Sequence, residues 1–475
     1  MKAKLLFCLI ALTLVSGCMV GPDFHAPKPS LPPSWVGVGE KEEKEQPSVA
    51  NAQYADLAVW WRQFKDPTLD GLIDEALKAN LNLASAQASL RQAQALRGVA
   101  VGGLFPSATA TAAYEREAGP AYGTNGKPQS SYQAGLGAAW VLDFFGGIRR
   151  NVESATANVE AAFENLRDVQ VNIVAEAALD YVQLRGYQQQ IVTARNNLKQ
   201  QEHTADITRK LYKVGFNSAL DVANAESLVA TTEAQIPVYE TGARQSIYAL
   251  SVLLSRHPGD LVAELSPLGE LPSVPGEIPA GLPSDLLRRR PDIRQAEAQL
   301  HSATAQIGVA TAQLFPQFSL TGNANWATTY FPTWFQSQSR SLSIGPAMTW
   351  PIFQGGATVS NIHVQEALRD QAFVSYQQTV LNALQQVENS LIAFSKEQVH
   401  HRSLEQAVTA DRKAVDLSLA LFQEGQTDFL NVLTAQKQQY ADENALTQST
   451  ENIATDLIAL YQALGGGWEV APVGE

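Results

Sequence analysis

Residues 314–326 read LFPQFSLTGNANW. From Gln317 onward, polar Gln317, Ser319, Thr321, Asn323 and Asn325 alternate with Phe318, Leu320, Gly322, Ala324 and Trp326. Successive side chains of a strand point to opposite faces, so this stretch predicts a strand with one polar and one apolar face. A second such stretch follows at Ser341–Trp350. There Leu342, Ile344, Pro346, Met348 and Trp350 alternate with Ser341, Ser343, Gly345, Ala347 and Thr349. The same design stands upstream. Tyr132, Ala134, Leu136, Ala138, Trp140 and Leu142 alternate with Gln133, Gly135, Gly137 and Ala139, and a weaker pattern over Ser107–Tyr114 puts Thr109 and Thr111 on its polar face.

Runs of about 10 residues with one apolar face and aromatic ends suit a β-sheet that spans a membrane. A half-buried soluble sheet produces the same alternation. The leader favours the membrane: Lys2 and Lys4 precede an apolar run from Leu5 to Val15, and Val15-Ser16-Gly17-Cys18 resembles a bacterial lipobox. Cleavage there removes residues 1–17, Cys8 among them, and leaves Cys18 acylated as the first residue of the mature chain. Several acyl chains anchor a protein stably. Met19 stands after the cysteine, where Asp keeps bacterial lipoproteins at the inner membrane, so the outer membrane is expected. No apolar run of 18 residues occurs outside the leader.

The motif that opens the first stretch belongs to an internal repeat with a period near 210 residues. Leu104-Phe105-Pro106 returns as Leu314-Phe315-Pro316, and Gly146-Gly147 as Gly355-Gly356. Leu211-Tyr212-x-x-Gly215 returns as Leu421-Phe422-x-x-Gly425, and Leu220-x-Val222 as Leu430-x-Val432. The period is too long for a solenoid and marks a duplicated half. Each half reads as a helical stretch, two strands, a very long helix, a glycine turn and a second long helix. Segment 148–213 holds one Gly, Gly186, and no Pro, and segment 357–423 holds neither. Both are rich in good helix formers. About 66 residues at 1.5 Å each give helices about 100 Å long. Helices of that length need lateral partners, and Ala155, Ala157, Ala161, Ala162, Ala175, Ala177 and Ala178 permit close approach.

The chain thus divides into a signal peptide at 1–17 and a lipidated, Pro-rich tether at 18–60 with a solvated charge run from Glu40 to Glu45. A first repeat covers 61–265, with a strand pair near 104–145 and a helical hairpin at 148–257. A linker at 266–282 leads to a second repeat at 283–464, with strands near 314–354 and a hairpin at 357–464, and a tail at 465–475. Four strands cannot close a barrel, and an open edge cannot face lipid, so the chain is expected to oligomerise. Two copies would supply eight strands around an interior filled by side chains. Three would supply twelve and leave a solute path.

Composition excludes other classes. With 17% charged and 45% hydrophobic residues the chain is not disordered, and a net charge of −13 argues against a nucleic-acid partner. That charge also suggests a preference for cations. Two cysteines provide neither a disulfide framework nor a Cys-based zinc site. No His-Glu-x-x-His, Gly-x-Ser-x-Gly or phosphate-binding glycine loop is present, so neither an enzyme nor a cofactor beyond the N-terminal lipid is expected. His400 and His401 are adjacent and point to different helix faces. A periplasmic adaptor lipoprotein would also carry a helical hairpin but would lack the strand pairs and the repeat.

Three motifs carry a family resemblance. They are Cys18-x-x-Gly21-Pro22-Asp23-Phe24, Trp60-Trp61-x-x-Phe64-x-Asp66-Pro67-x-Leu69-x-x-Leu72-Ile73, and Leu287-Arg288-Arg289-Arg290-Pro291-Asp292-Ile293-x-x-Ala296-Glu297 running on to Ile307-Gly308 and Phe315-Pro316. With these the chain resembles the TolC-like outer-membrane efflux channels, in their OprM-like lipoprotein branch, from Cys18 to Trp468. The resemblance implies an α + β membrane protein: a homotrimer with a 12-stranded outer-membrane β-barrel, a periplasmic barrel of long antiparallel helices and an equatorial region. It implies work with a periplasmic adaptor and an inner-membrane pump, or, as the alternative role, export of protein from an ATP-driven secretion system. It assigns the hairpin tips to the adaptor and to the closed entrance. The expected contacts are Tyr212, Gly215, Ser218, Leu220 and Asp221 on the first tip, and Phe422, Gly425 and Asp428 on the second. Leu430 matches the apolar constriction. Asn431 and Thr434 stand where relatives commonly place acidic side chains, so no strong acidic ring is expected. Within the third motif, Pro291 suits a first helical position and Asp292 the positive end of a helix.

Overall fold

A computed structural model describes residues 19–36, 54–118, 128–274 and 283–468. Cys18, the leader, the run Glu40–Glu45 and most of the C-terminal tail lie outside the described residues. A 3₁₀ segment at Tyr54–Phe64 leads into α1 (Pro67–Ala79), α2 (Leu81–Gly102), β1 (Ser107–Glu117), β2 (Gln129–Leu142), α3 (Gly147–Lys213) and α4 (Ala219–Leu253). After α5 (Val262–Leu265) and α6 (Pro283–Arg289) come α7 (Pro291–Ala312), β3 (Gln317–Thr328), β4 (Arg340–Thr349), α8 (Ala357–Gln423) and α9 (Phe429–Ala463).

The repeat is borne out element by element. α2 and α7 have 22 residues each, α3 and α8 have 67, and α4 and α9 have 35. Pro291 opens α7, and the Asp292 carboxylate accepts the Ile293 amide at 2.9 Å, as expected for the start of a helix.

The chain divides into two compact units. The first gathers the described residues within 1–29, 88–164 and 295–378, and the second those within 30–87, 165–294 and 379–475. The first holds one antiparallel sheet in the order β1-β2-β3-β4. β2 joins β3 across the repeat, with Tyr132 opposite Thr328 and Leu142 opposite Phe318. Among the described residues, the outer edges of β1 and β4 have no strand partner. Pro346, which cannot donate to a ladder, sits on the edge strand β4, where proline is tolerated. One hydrogen bond marks each half at matching places: the Trp140 indole donates to the Leu104 carbonyl at 2.9 Å, and the Trp350 indole to the Leu314 carbonyl at 3.0 Å. Each ties the far end of a strand pair to the Leu-Phe-Pro corner that begins it.

Of the stretch expected to form a tether, 19–36 is described without helix or strand, while Tyr54–Trp60 belong to the 3₁₀ segment, and parts of both are packed. Val20–Phe24 lie on the first unit. In the second, Trp35 is buried and the Val36 amide donates to Glu388 at 2.8 Å.

The core of the second unit explains the tryptophan motif. Trp60, Trp61, Phe64, Leu69 and Ile73 are buried, and Trp60 stacks on Tyr461 with centroids 5.0 Å apart. Asp66 caps α1 by accepting from the Thr68 and Leu69 amides and also receives the Tyr181 hydroxyl at 2.6 Å. Along α3, Val174, Ala177, Ala178, Val182 and Leu184 are fully buried. Polar rungs at Gln190–Gln448, Thr193–Thr447, Asn197–Glu443 and Gln436–Thr204 tie α3 to α9 as an antiparallel pair.

Candidate functional site

Two surfaces bear on function, one in each unit. In the first unit the sheet has the two faces read from the sequence. Leu136, Leu342, Ile344 and Met348 are exposed on the apolar face. On the other, Thr109, Thr111, Asn323 and Asn325 close over Gly135 and Gly137; a Cβ at Gly137 would sit 3.1 Å from Thr109 Oγ1 and 3.3 Å from Asn323 Oδ1, so these side chains would have to shift to admit it. The charged strand residues Glu115, Arg116, Glu117 and Arg340 stand at strand ends, so the middle of the polar face is neutral. Aromatics gather at both ends. Tyr114, Tyr132, Phe331 and Trp334 meet at one, with Tyr132 5.1 Å from Tyr114 and 5.2 Å from Phe331. At the other, Phe144 packs on Phe318 at 5.3 Å and Phe145 on Phe315 at 4.6 Å. From Tyr132 to Trp140 is eight strand steps, about 26 Å, the height of the apolar band of outer-membrane barrels.

In the second unit the two tips are built alike. Gly215 has φ +83° and Gly425 φ +71°, the left-handed region that a residue with a Cβ enters only at a cost. At the first tip the Gly215 amide donates to the Tyr212 carbonyl at 3.0 Å and the Phe216 amide to the Leu211 carbonyl at 3.0 Å. At the second, the Gly425 amide donates to Phe422 at 3.0 Å and Gln426 to Leu421 at 2.8 Å. Both are Schellman ends, so the helices stop where the sequence repeat stops them.

The starts of the following helices differ. Ser218 and Asp221 form a complete capping box, with the Asp221 amide donating to Ser218 Oγ at 3.2 Å and the Ser218 amide to Asp221 Oδ2 at 3.0 Å. At the second tip Asp428 occupies the cap position without a side-chain cap bond, and Asn431 stands where the first tip has Asp221, so no acid returns a bond to the cap amide. The Asn431 side-chain Nδ2 donates to Thr427 Oγ1 at 2.7 Å, and its backbone amide to the Asp428 carbonyl at 3.1 Å.

One apolar cluster joins the two tips: Ala205, Ala225, Leu228, Phe422, Phe429, Val432 and Leu433. Phe422, expected to be a contact residue, is 4% exposed and packs on Phe429 at 5.5 Å, so it supports the tip from within. Its counterpart Tyr212 is exposed, as are Gly215, Ser218, Leu220, Gly425 and Asp428, while Asp221 is half-buried. The expected gate residues share a face that turns away from this cluster. Leu430 is 64% exposed, Asn431 and Thr434 are exposed, and the Thr434 hydroxyl donates to the Leu430 carbonyl at 2.8 Å.

Sequence reasoning missed the polar lining behind the tips. Glu443 of α9 accepts from Asn197 of α3 at 2.6 Å and from Arg412 of α8 at 2.8 Å. These three line a cavity of about 1010 Å³ with Thr193, Gln200 and Gln439. Nearby, burial raises the Asp411 carboxyl, and the facing Asp442 raises it further. No linear motif announces partners 31 and 246 residues apart. The capping box is legible in the sequence as Ser218-x-x-Asp221.

The chain matches the family model described as Outer membrane efflux protein over residues 72–256 and 282–466, once per repeat. It is similar to Nodulation protein T of Rhizobium leguminosarum bv. viciae, 32% identical over 97% of this chain and 93% of that protein. It is similar to the solvent efflux pump outer membrane protein SrpC of Pseudomonas putida, 31% identical over 98% of each. Among solved structures, the outer-membrane channel OprN superposes with a TM-score of 0.88 at 35% identity, covering 95% of this chain and 100% of that one. The four-stranded sheet, the doubled hairpin and these likenesses agree: the chain belongs to the outer membrane efflux protein family and is an outer-membrane channel component of an efflux system.

Proposed function

We propose that three copies close into one conduit, each contributing four strands to a 12-stranded barrel, and that this conduit is the passive exit of a tripartite pump. The observation that carries the reading is the pair of open sheet edges. β1 and β4 expose ladder groups that lipid cannot satisfy, and head-to-tail pairing of β4 with β1 of the next copy removes both edges at once. Three four-stranded sheets give an interior wide enough for a solute, lined by the neutral polar face of Thr109, Asn323 and their neighbours. The long helices extend into the periplasm, and the tips around Gly215 and Gly425 meet a periplasmic adaptor that leads to an inner-membrane pump. Conduction requires no catalytic step and no cofactor. Cys18 carries the N-terminal lipid, which adds a second hold on the outer membrane.

The cargo is a small, toxic, largely apolar solute. This is supported by the solvent-efflux name of a relative aligned over nearly the whole chain. The experiment is complementation in cells that lack their native channel but keep pump and adaptor. Restored tolerance to toluene and to apolar antibiotics is expected. Restored protein export with no gain in tolerance would contradict the small-solute reading. Mass analysis of the mature N-terminus should show an acylated Cys18 and no residues 1–17. An intact leader or an unmodified cysteine would contradict lipidation.

A further inference from the structure

The N-terminal residues of the first unit form contacts that the channel reading does not use. Arg150, in the first turn of α3, is 1% exposed. Its guanidinium is saturated largely by the chain's own beginning. Nε donates to the Val20 carbonyl at 3.1 Å, and Nη2 to the Gly21 carbonyl at 3.3 Å and to Asp23 Oδ1 at 2.7 Å. Nη1 goes to Glu153 Oε2 at 2.7 Å. The other oxygen of Glu153 meets His301 Nε2 at 3.1 Å, and the His301 ring stacks on Phe24 with centroids 4.4 Å apart and planes 12° from parallel.

The backbone is held as closely. The Val20 amide donates to the Phe145 carbonyl at 3.2 Å, and Met19 packs against Gly146. A Cβ on Gly21 would lie 2.9 Å from the Gly308 amide nitrogen, so two glycines pass in direct contact. Gly21 has φ +87°, which only glycine adopts freely. The Arg150 guanidinium, by hydrogen bond and then by charge, holds the Asp23 carboxyl below its ordinary value.

We infer that Arg150, Glu153, His301 and Gly308 form a peptide-binding site whose ligand is the chain's own segment Val20–Phe24, and that this site, not the lipid, fixes the start of the mature protein to the junction between β2 and α3. A buried guanidinium left without acceptors is costly, so the site and its segment complete one another. The N-terminal anchor is then attached to the base of the sheet itself and does not trail from a free linker.

The test is hydrogen exchange of the intact detergent-extracted protein, read by mass spectrometry on peptides covering 19–24. Slow exchange is expected both in the acylated protein and in Cys18→Ser exported on an ordinary leader. Arg150→Met should accelerate exchange over 20–24 by about tenfold or more while strand peptides stay protected. If Arg150→Met does not assemble, Phe24→Ala removes only the stack on His301 and should accelerate the same peptides. Exchange at free-peptide rates in the wild type, loss of protection in Cys18→Ser alone, or unchanged protection in both Arg150→Met and Phe24→Ala would each overturn the inference.

Discussion

Replacing Gly425 by alanine isolates the backbone requirement of the second tip. A Cβ built at Gly425 meets nothing within 4 Å, so no clash contributes, and the whole cost is that of holding a residue with a Cβ at φ +71°. That cost is about 1 kcal/mol, which raises the open fraction of the turn about fivefold. Two amides report it directly: Gly425, bonded to the Phe422 carbonyl, and Gln426, bonded to the Leu421 carbonyl. After correction for intrinsic rates, hydrogen exchange at residues 425 and 426 should quicken about fivefold in Gly425→Ala. Amides in the middle of α8 and α9, and assembly of the protein, should not change. Gly425→Trp has the same open space but places a large side chain on the outer face of the tip. It should assemble normally and fail to support export. Unchanged exchange at 425–426 in Gly425→Ala would refute the strained-turn argument. Acceleration spread along both helices would show that the tip is part of the fold's stability and not a local feature. Wild-type export by Gly425→Trp would refute the tip assignment.

Leu430→Ala should leave thermal stability within about 0.5 kcal/mol, because the side chain is 64% exposed in the chain, and should raise resting conductance in planar bilayers. Unchanged conductance would refute its role as a plug. Phe429→Ala, one residue away but 3% exposed, should instead cost about 3 kcal/mol by opening a cavity beside Phe422. Equal melting temperatures for the two variants would contradict the assignment of faces. Burial pushes the Glu451 carboxyl, packed over Gly186, up to about 7 from an ordinary 4.5. The native state therefore keeps a proton that the unfolded chain has released. The stabilisation is complete below about pH 4.5, declines as pH rises to about 7 and is absent above. Glu451→Gln should flatten the slope in thermal melts between about pH 6 and 7, leave a slope below about pH 6, and raise stability at pH 8. The residual slope should come from Asp180 and Asp456, which burial raises to about 6. A steeper slope in the variant would contradict this sign.

The fold was legible because it is written twice. Periodicity of two in Gln317–Trp326 and Ser341–Trp350 marks strands that the structure extends by two residues in β3 and shifts one residue earlier in β4. The absence of breakers in 357–423 gave α8 to the residue. Gly215 and Gly425, recurring at matching places in the repeat and both at positive φ, mark the tips. What the sequence did not disclose depends on partners far apart in the chain. Nothing near Arg150 says that its acceptors lie about 130 residues upstream, so Val20–Phe24 read as part of a tether. Phe422 reads as a contact residue because the resemblance assigns the whole second tip to the adaptor. Only the packing of Phe429 and Val432 against it turns it inward. Repeat symmetry predicts element lengths well and side-chain exposure poorly, because the two halves face different neighbours.

The central claim is that open edges at β1 and β4 are closed by further copies of this chain. Native mass measurement of the detergent-extracted complex tests it most directly. The account predicts a single species of three chains, with no stable monomer that keeps its strand content. A monodisperse monomer with full strand signal, or a complex of two chains, would contradict it.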